Sequence, residues 1–230
     1  MEVMEMAKRN KIENVVEVSA MQSSLRYDLI RNSTYALGIE ELRSLGKEPL
    51  SFKANMQARL EQPEFYDTWL DSRVGVASKT NSNKFKLILN CKQLKNISPP
   101  FNDLSMEVDY SKLKGRIFDL DKIKHGQRLT KEEVLEDPVW LELVEGDKAF
   151  LKEYVDFTIA QYKLKDESDL SHFSNLRPFN DITHLMEVGF YSSSFKRDRL
   201  VTLTLGSLLE CSYAHMADLY NNGCRFLYEK

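Results

Sequence analysis

The sequence predicts an α+β fold whose sheet, mixed or mainly antiparallel, is assembled from discontinuous segments. Three observations lead there. Apolar residues alternate over parts of 73–90 and over 200–205, the period of strands. Helical spacing dominates the first 72 residues and returns as an insertion at about 130–165. The strand-like pieces lie far apart, at 73–90, 115–120, 187–205 and 224–228, so a sheet forms only when distant parts of the chain meet.

In chain order, Leu25, Leu29, Leu37, Leu42 and Leu45 recur at roughly helical intervals across Ser19 to Leu45, and Gly46 and Pro49 supply the stop. Asn14 to Val18 fits a short strand. Ser51 is placed to cap a second helix carrying Phe52, Met56 and Leu60, and Pro63 to open a third with Phe65, Trp69 and Leu70. Val74 and Val76, then Phe85, Leu87 and Leu89, describe a hairpin around the polar turn KTNSN, and Arg116 to Leu120 a further strand. Thr130 with Glu133 matches a capping box, Asp137 before Pro138 is another helix start, and Leu151, Tyr154, Val155, Thr158, Ile159 and Tyr162 form an amphipathic stripe.

The C-terminal stretch reads as strand, helix, strand. Val201, Leu203 and Leu205 share one face against Leu200, Thr202 and Thr204 on the other, and Gly206 and Ser207 then break the pattern. Leu209, Tyr213, Met216 and Tyr220 are spaced as a helix over Leu208 to Tyr220, closed by Asn221, Asn222 and Gly223, and Cys224 to Tyr228 returns to a strand. Val188 to Phe195 is expected to pair antiparallel with Arg199 to Leu205 across KRD. The helix then covers the sheet and makes Cys211 and His215 core residues.

The chain is read as one domain: 1–72 mainly helical, 73–128 a basic hairpin-containing segment, 129–170 an acidic helical insertion, and 171–230 the hairpin with the strand-helix-strand unit. Its 32 basic and 35 acidic residues nearly balance, which gives no global pull toward nucleic acid or membrane. No apolar run approaches a bilayer span and the N-terminus lacks a signal-peptide pattern, so a cytoplasmic setting is expected. Cys91, Cys211 and Cys224 are an odd number without CxxC spacing, suggesting neither a disulfide framework nor a zinc module.

Charge is segregated: 79–131 holds 12 Lys and Arg against 5 Asp and Glu, and 132–170 holds 4 against 12. The blocks either face each other or dock outside partners. Lys84, Lys86, Lys92, Lys95, Lys112, Lys114 and Arg116, interleaved with Phe85, Phe101, Tyr110 and Phe118, are the candidate phosphate contacts of a nucleic-acid reading. Asp169, His172, Asp181 and His184 repeat an Asp-x-x-His spacing and are ligand types for a divalent metal, although each Asp is equally suited to a turn or cap. Asp119 and Asp121 at alternate strand positions, with His125, suit a divalent ion or an acid/base pair, although an exposed turn with surface ion pairs to Lys122, Lys124 and Arg128 explains them more readily. Cys211 and His215, four apart on the expected helix, have the minimum for a thiol nucleophile but no visible oxyanion donor or orienting group. Lys196, Arg197 and Arg199 at the second hairpin tip suit an anionic ligand.

Glycine-rich phosphate loops, a nucleophile elbow and a paired-His zinc helix are absent, and no cofactor is called for. The reading favours a non-enzymatic interaction or assembly protein whose partner is another protein or a second copy of itself, with Trp140 among its candidate surface aromatics. The alternatives are a nucleic-acid binder using 79–131 and an enzyme or ligand binder with a His/Asp site around 169–184.

Overall fold

The computed structural model describes residues 26–126, 128–169, 186–189, 197–208, 211–220 and 223–230. The possible strand at 14–18, and Lys196, His172, Asp181 and His184, lie outside them.

The chain opens with β1 (Tyr27–Asn32), where the leucine spacing suggested a helix. Its burial does not alternate, and its partner is near the other end of the chain, so no local period reveals it. Thr34 then caps α1 (Tyr35–Ser44) by accepting from the Leu37 backbone N–H, and Ser51 caps α2 (Phe52–Glu61) through Ala54. The third expected helix is a single 3-10 turn at Pro63–Phe65, because Leu70 already belongs to the sheet. There follow β2 (Leu70–Ser78), β3 (Lys84–Ile88), the short α3 (Lys92–Lys95), β4 (Met106–Glu107), β5 (Arg116–Asp119) and β6 (Arg128–Leu129). The helical insertion is α4 (Lys131–Glu136), with the Thr130–Glu133 capping box formed, α5 (Pro138–Leu143), capped by Asp137, and α6 (Lys148–Asp169). The chain closes with β7 (Met186–Gly189), β8 (Arg199–Leu208), β9 (Cys211–Ala217) and β10 (Cys224–Glu229).

Two corrections concern this last region. The expected helix over Leu208 to Tyr220 is strand: β8 continues to Leu208, and β9 pairs antiparallel with it from Thr202↔Ala217 to Leu208↔Cys211. Ser, Ala and Met dilute the alternation of CSYAHMA, and its place between β7 and β8 decides the matter, since sheet neighbours outweigh weak propensity. The expected antiparallel pairing of 188–195 with 199–205 is also replaced. β7 runs parallel to β9, which separates it from β8.

The main sheet has the order β5-β3-β2-β8-β9-β7-β6, with β4 paired to one end of β8; the β7–β9 pair is parallel and the rest antiparallel. The fold is thus α+β with a mixed sheet. β10, expected in that sheet, instead pairs with β1 in a two-stranded ribbon that brings the two ends of the described chain together.

Each face of the main sheet is covered. Val74, Val76, Leu203 and Leu205 pack with Phe52 and Met56 of α2, Trp140 of α5 and Leu151 and Tyr154 of α6. Trp140, expected at the surface, is fully buried, edge-on to Phe52, which is the usual fate of so large an apolar area. On the opposite face Ala77 and Leu200 meet Tyr35, Ile39 and Leu42 of α1 and Phe226 of β10. Gly38 permits that approach: a Cβ there would lie 2.5 Å from Cys224 Sγ and 2.6 Å from the Phe226 ring.

Candidate functional site

The side of the sheet facing α1 and β10 holds a cleft of about 470 Å³, within the range of small-ligand sites. Strand register builds its floor. Asp71 of β2 lies opposite Thr204 of β8, and Thr204 lies opposite His215 of β9. Cross-strand partners project to the same side, so an acid, a hydroxyl and an imidazole form a row across three neighbouring strands, and all three line the cleft.

A bulge beside this row shapes β2. The β2–β8 register jumps between Asp71↔Thr204 and Gly75↔Thr202, so β2 carries extra residues that cannot join the ladder. Side chains replace the lost bonds: Ser72 Oγ donates to Leu203 O at 2.6 Å, and both Thr202 Oγ1, at 3.0 Å, and Tyr35 Oη, at 2.8 Å, donate to Ser72 O. The bulge is thereby fixed to β8 and α1.

Asp71 is 8% exposed. One carboxylate oxygen accepts from Thr204 Oγ1 and the other from the Arg225 backbone N–H, each at 2.8 Å. Burial pushes its pKa up to about 6, against the opposing pull of those two hydrogen bonds and the nearby Arg225 charge. Arg225 itself is half-buried and lines the cleft. Its neighbours Cys224 and Phe226 meet α1, so alternation places Arg225 on the opposite side of β10 from them. Asp218 and Arg199 complete the charged lining.

The end of the cleft near Trp69 is held by a buried cation. Arg59 of α2, fully buried, donates to Thr68 O at 2.6 Å, Leu205 O at 3.0 Å, Gly206 O at 3.4 Å and Tyr154 Oη at 3.1 Å, and its guanidinium lies 5.7 Å from the Tyr66 ring centroid. These contacts bind the turn before β2 to β8 and α6. Trp69 then lies over Gly206, where a Cβ would come within 2.9 Å of its ring, and meets His215 edge-on at 6.2 Å.

The residues singled out by sequence are placed as follows. Cys211 and His215 lie on a strand, so their Cα atoms are separated by about 13 Å rather than one helical turn. His215 reaches the cleft; Cys91 and Cys224 are buried thiols, each with a pKa pushed up by burial. Asp169 ends α6, and among the described residues no group of three His, Cys, Asp or Glu is arranged to hold a metal ion. Asp119 accepts from the Asp121 backbone N–H at 3.2 Å, and the Asp121 carboxylate from Asn83 Nδ2 at 3.2 Å, as turn residues do. Arg197 pairs with Glu107 at 2.6 Å, and Arg199 donates to Ser105 O at 3.4 Å.

The basic segment turns partly inward and partly toward the acidic one. Lys86 is buried, donating to Tyr110 O at 2.7 Å and Leu113 O at 2.9 Å, and Phe85 stacks on Phe118 in the core. Lys95 pairs with Glu48 and Lys112 with Asp109, while Lys84, Lys92 and Lys114 are exposed. Arg116–Glu142, Lys124–Glu133 and Lys131–Asp156 join the two blocks directly.

Asp71, Thr204, Trp69 and Arg225 were not expected to converge. Asp71 and Arg225 lie 154 positions apart, and the ladder positions Ser72, Arg73 and Val74, left without a β8 partner, leave no composition signal. A polar Asp and Thr inside otherwise apolar strands was the available hint.

Close to the cleft-lining Asp218, two exposed apolar side chains form a rim. Leu104 and Tyr220 are 56% and 44% exposed. The Leu219 N–H donates to Leu104 O at 2.7 Å and the Tyr35 N–H to Leu219 O at 3.2 Å, which fixes this rim beside the β9–β10 connection that borders the cleft. Among the described residues no helix is long and apolar enough to cross a membrane.

No protein-family model matches the sequence, and no curated protein matches it. Among solved structures, the chain is similar to one described as accommodation of massive sequence variation in Nanoarchaeota by the C-type lectin fold, with a TM-score of 0.62 and 12% sequence identity over 90% of this chain and 99% of that one. The helices, the mixed sheet and the terminal ribbon thus form a C-type lectin-like fold.

Proposed function

We propose that the protein is a non-enzymatic binding protein that engages another protein through the face formed by the cleft and its rim. The observation that carries this reading is the exposure of Leu104 and Tyr220 on backbone fixed by the Leu219 hydrogen bonds. Large apolar side chains presented on fixed backbone need little backbone ordering on docking and gain burial, as interface hot spots do.

The polar row supports binding over catalysis. The Thr204 hydroxyl proton is committed to Asp71, and Asp71 also accepts from the Arg225 backbone, so these groups brace the wall and activate no nucleophile. The structure it resembles is described as accommodating massive sequence variation. A framework that tolerates such variation suits a recognition surface, and C-type lectin folds often mediate protein or ligand binding.

The test is selection of a random peptide library displayed on phage against the purified chain, followed by affinity measurement of recovered peptides. Leu104→Ser and Tyr220→Ser each weaken binding by about tenfold. Ile117→Ser, which removes an equally exposed apolar side chain from β5, leaves it unchanged. Failure to enrich any sequence, or peptides indifferent to the two rim substitutions, contradicts the proposal.

A further inference from the structure

The cleft has a chemical character beyond its rim. Its charged lining is balanced: Asp71 and Asp218 against Arg199 and Arg225. Asp71 is a nearly buried carboxylate whose two hydrogen-bond donors are a neutral hydroxyl and a backbone amide. A carboxylate has room for about four hydrogen bonds, so accepting capacity remains on a group that burial has made costly to ionise. The Arg225 backbone donates to this same carboxylate, and Arg225, half-buried, lines the cleft.

A simple cation entering to compensate Asp71 meets the positive Arg225, and a simple anion drawn to Arg225 meets Asp71. A ligand carrying both charges a few ångströms apart satisfies each without leaving the other unpaired. The apolar lining from Tyr35, Trp69 and Ala217 leaves space for a hydrocarbon side chain. We infer that the cleft binds a free α-amino acid, with its ammonium group at Asp71 and its carboxylate at Arg225.

This is separate from docking at the rim and is tested on the full chain by titration calorimetry with a panel of leucine, phenylalanine, serine, lysine and glutamate. For leucine, the charge requirement is read with 3-methylbutylamine, which lacks the carboxylate, and 4-methylpentanoate, which lacks the ammonium. Saturable binding of at least one amino acid is expected, with leucine at least about tenfold tighter than either single-charge relative. Asp71→Asn then removes the preference for leucine over 4-methylpentanoate, and Arg225→Gln removes its preference over 3-methylbutylamine. The inference is overturned if no member of the panel binds up to about 10 mM, or if a single-charge relative binds wild type as tightly as leucine. The relatives are tested on wild-type protein, so the result stands even if Asp71→Asn fails to fold. Loss of this site with intact peptide binding at Leu104 and Tyr220 leaves the protein-docking proposal in place.

Discussion

Replacing Asp71 by Asn tests the electrostatics of the cleft wall quantitatively. Burial raises the Asp71 pKa from its ordinary 3.8 to about 6. The native state therefore holds the proton more tightly than the unfolded chain. The resulting stabilisation is fully present below about pH 4 and is lost as pH rises through about 6. A shift of about two units corresponds to about 3 kcal/mol. The asparagine amide oxygen keeps an acceptor for Thr204, but its NH2 then presents a donor where Arg225 N needs an acceptor, a pH-independent cost of about 1–2 kcal/mol. The informative quantity is thus the pH dependence of the difference between the two proteins, in which the other titrating groups largely cancel. Urea denaturation followed by tryptophan fluorescence at a series of pH values from about 4 to 8 supplies it. Relative to Asp71→Asn, wild type loses about 3 kcal/mol across that window. A difference that stays flat, or that grows with pH, refutes the account of Asp71 as a buried carboxylate lacking a strong cationic partner.

Other substitutions probe the supports of the site. Arg59→Met leaves the acceptors on Thr68, Leu205, Gly206 and Tyr154 without their donor and lowers stability by about 3 kcal/mol or more in chemical denaturation. Gly38→Ala gains about 1 kcal/mol of helix propensity, yet its Cβ overlaps Cys224 Sγ and the Phe226 ring, so thermal melting should show a net loss of about 1–3 kcal/mol. Asp137→Ala removes the acceptor for the Val139 and Trp140 N–H groups, for an expected loss of about 1 kcal/mol on denaturant titration. Iodoacetamide should leave Cys91 and Cys224 unlabelled in native protein and modify both in urea, because burial disfavours their thiolates; rapid native labelling of either would count against the packing described.

How much of this the sequence disclosed depended on the range of the interactions. The Thr130–Glu133 box, the Asp137 and Ser51 caps and the β2–β3 hairpin are local devices, and each was legible from neighbouring residues. Pairings between distant segments were not. β1 looked helical because its partner β10 lies near the other end of the chain, and β9 looked helical because four well-spaced apolar residues imitated a stripe while Ser212 and Ala214 hid its alternation. The opposite charges of 79–131 and 132–170 were visible, and three of the ion pairs join the blocks. The cleft itself was not, since it depends on register across β2, β8 and β9 and on a bulge that sequence does not mark.

Hydrogen–deuterium exchange on the chain bound to a selected peptide tests the proposed recognition face most directly. The account predicts added protection around Leu104 and along Ala217 to Cys224, with little change over β5 and the exposed lysines Lys84, Lys92 and Lys114. Protection confined to the basic segment, with the rim and cleft exchanging as in the unbound protein, would contradict it.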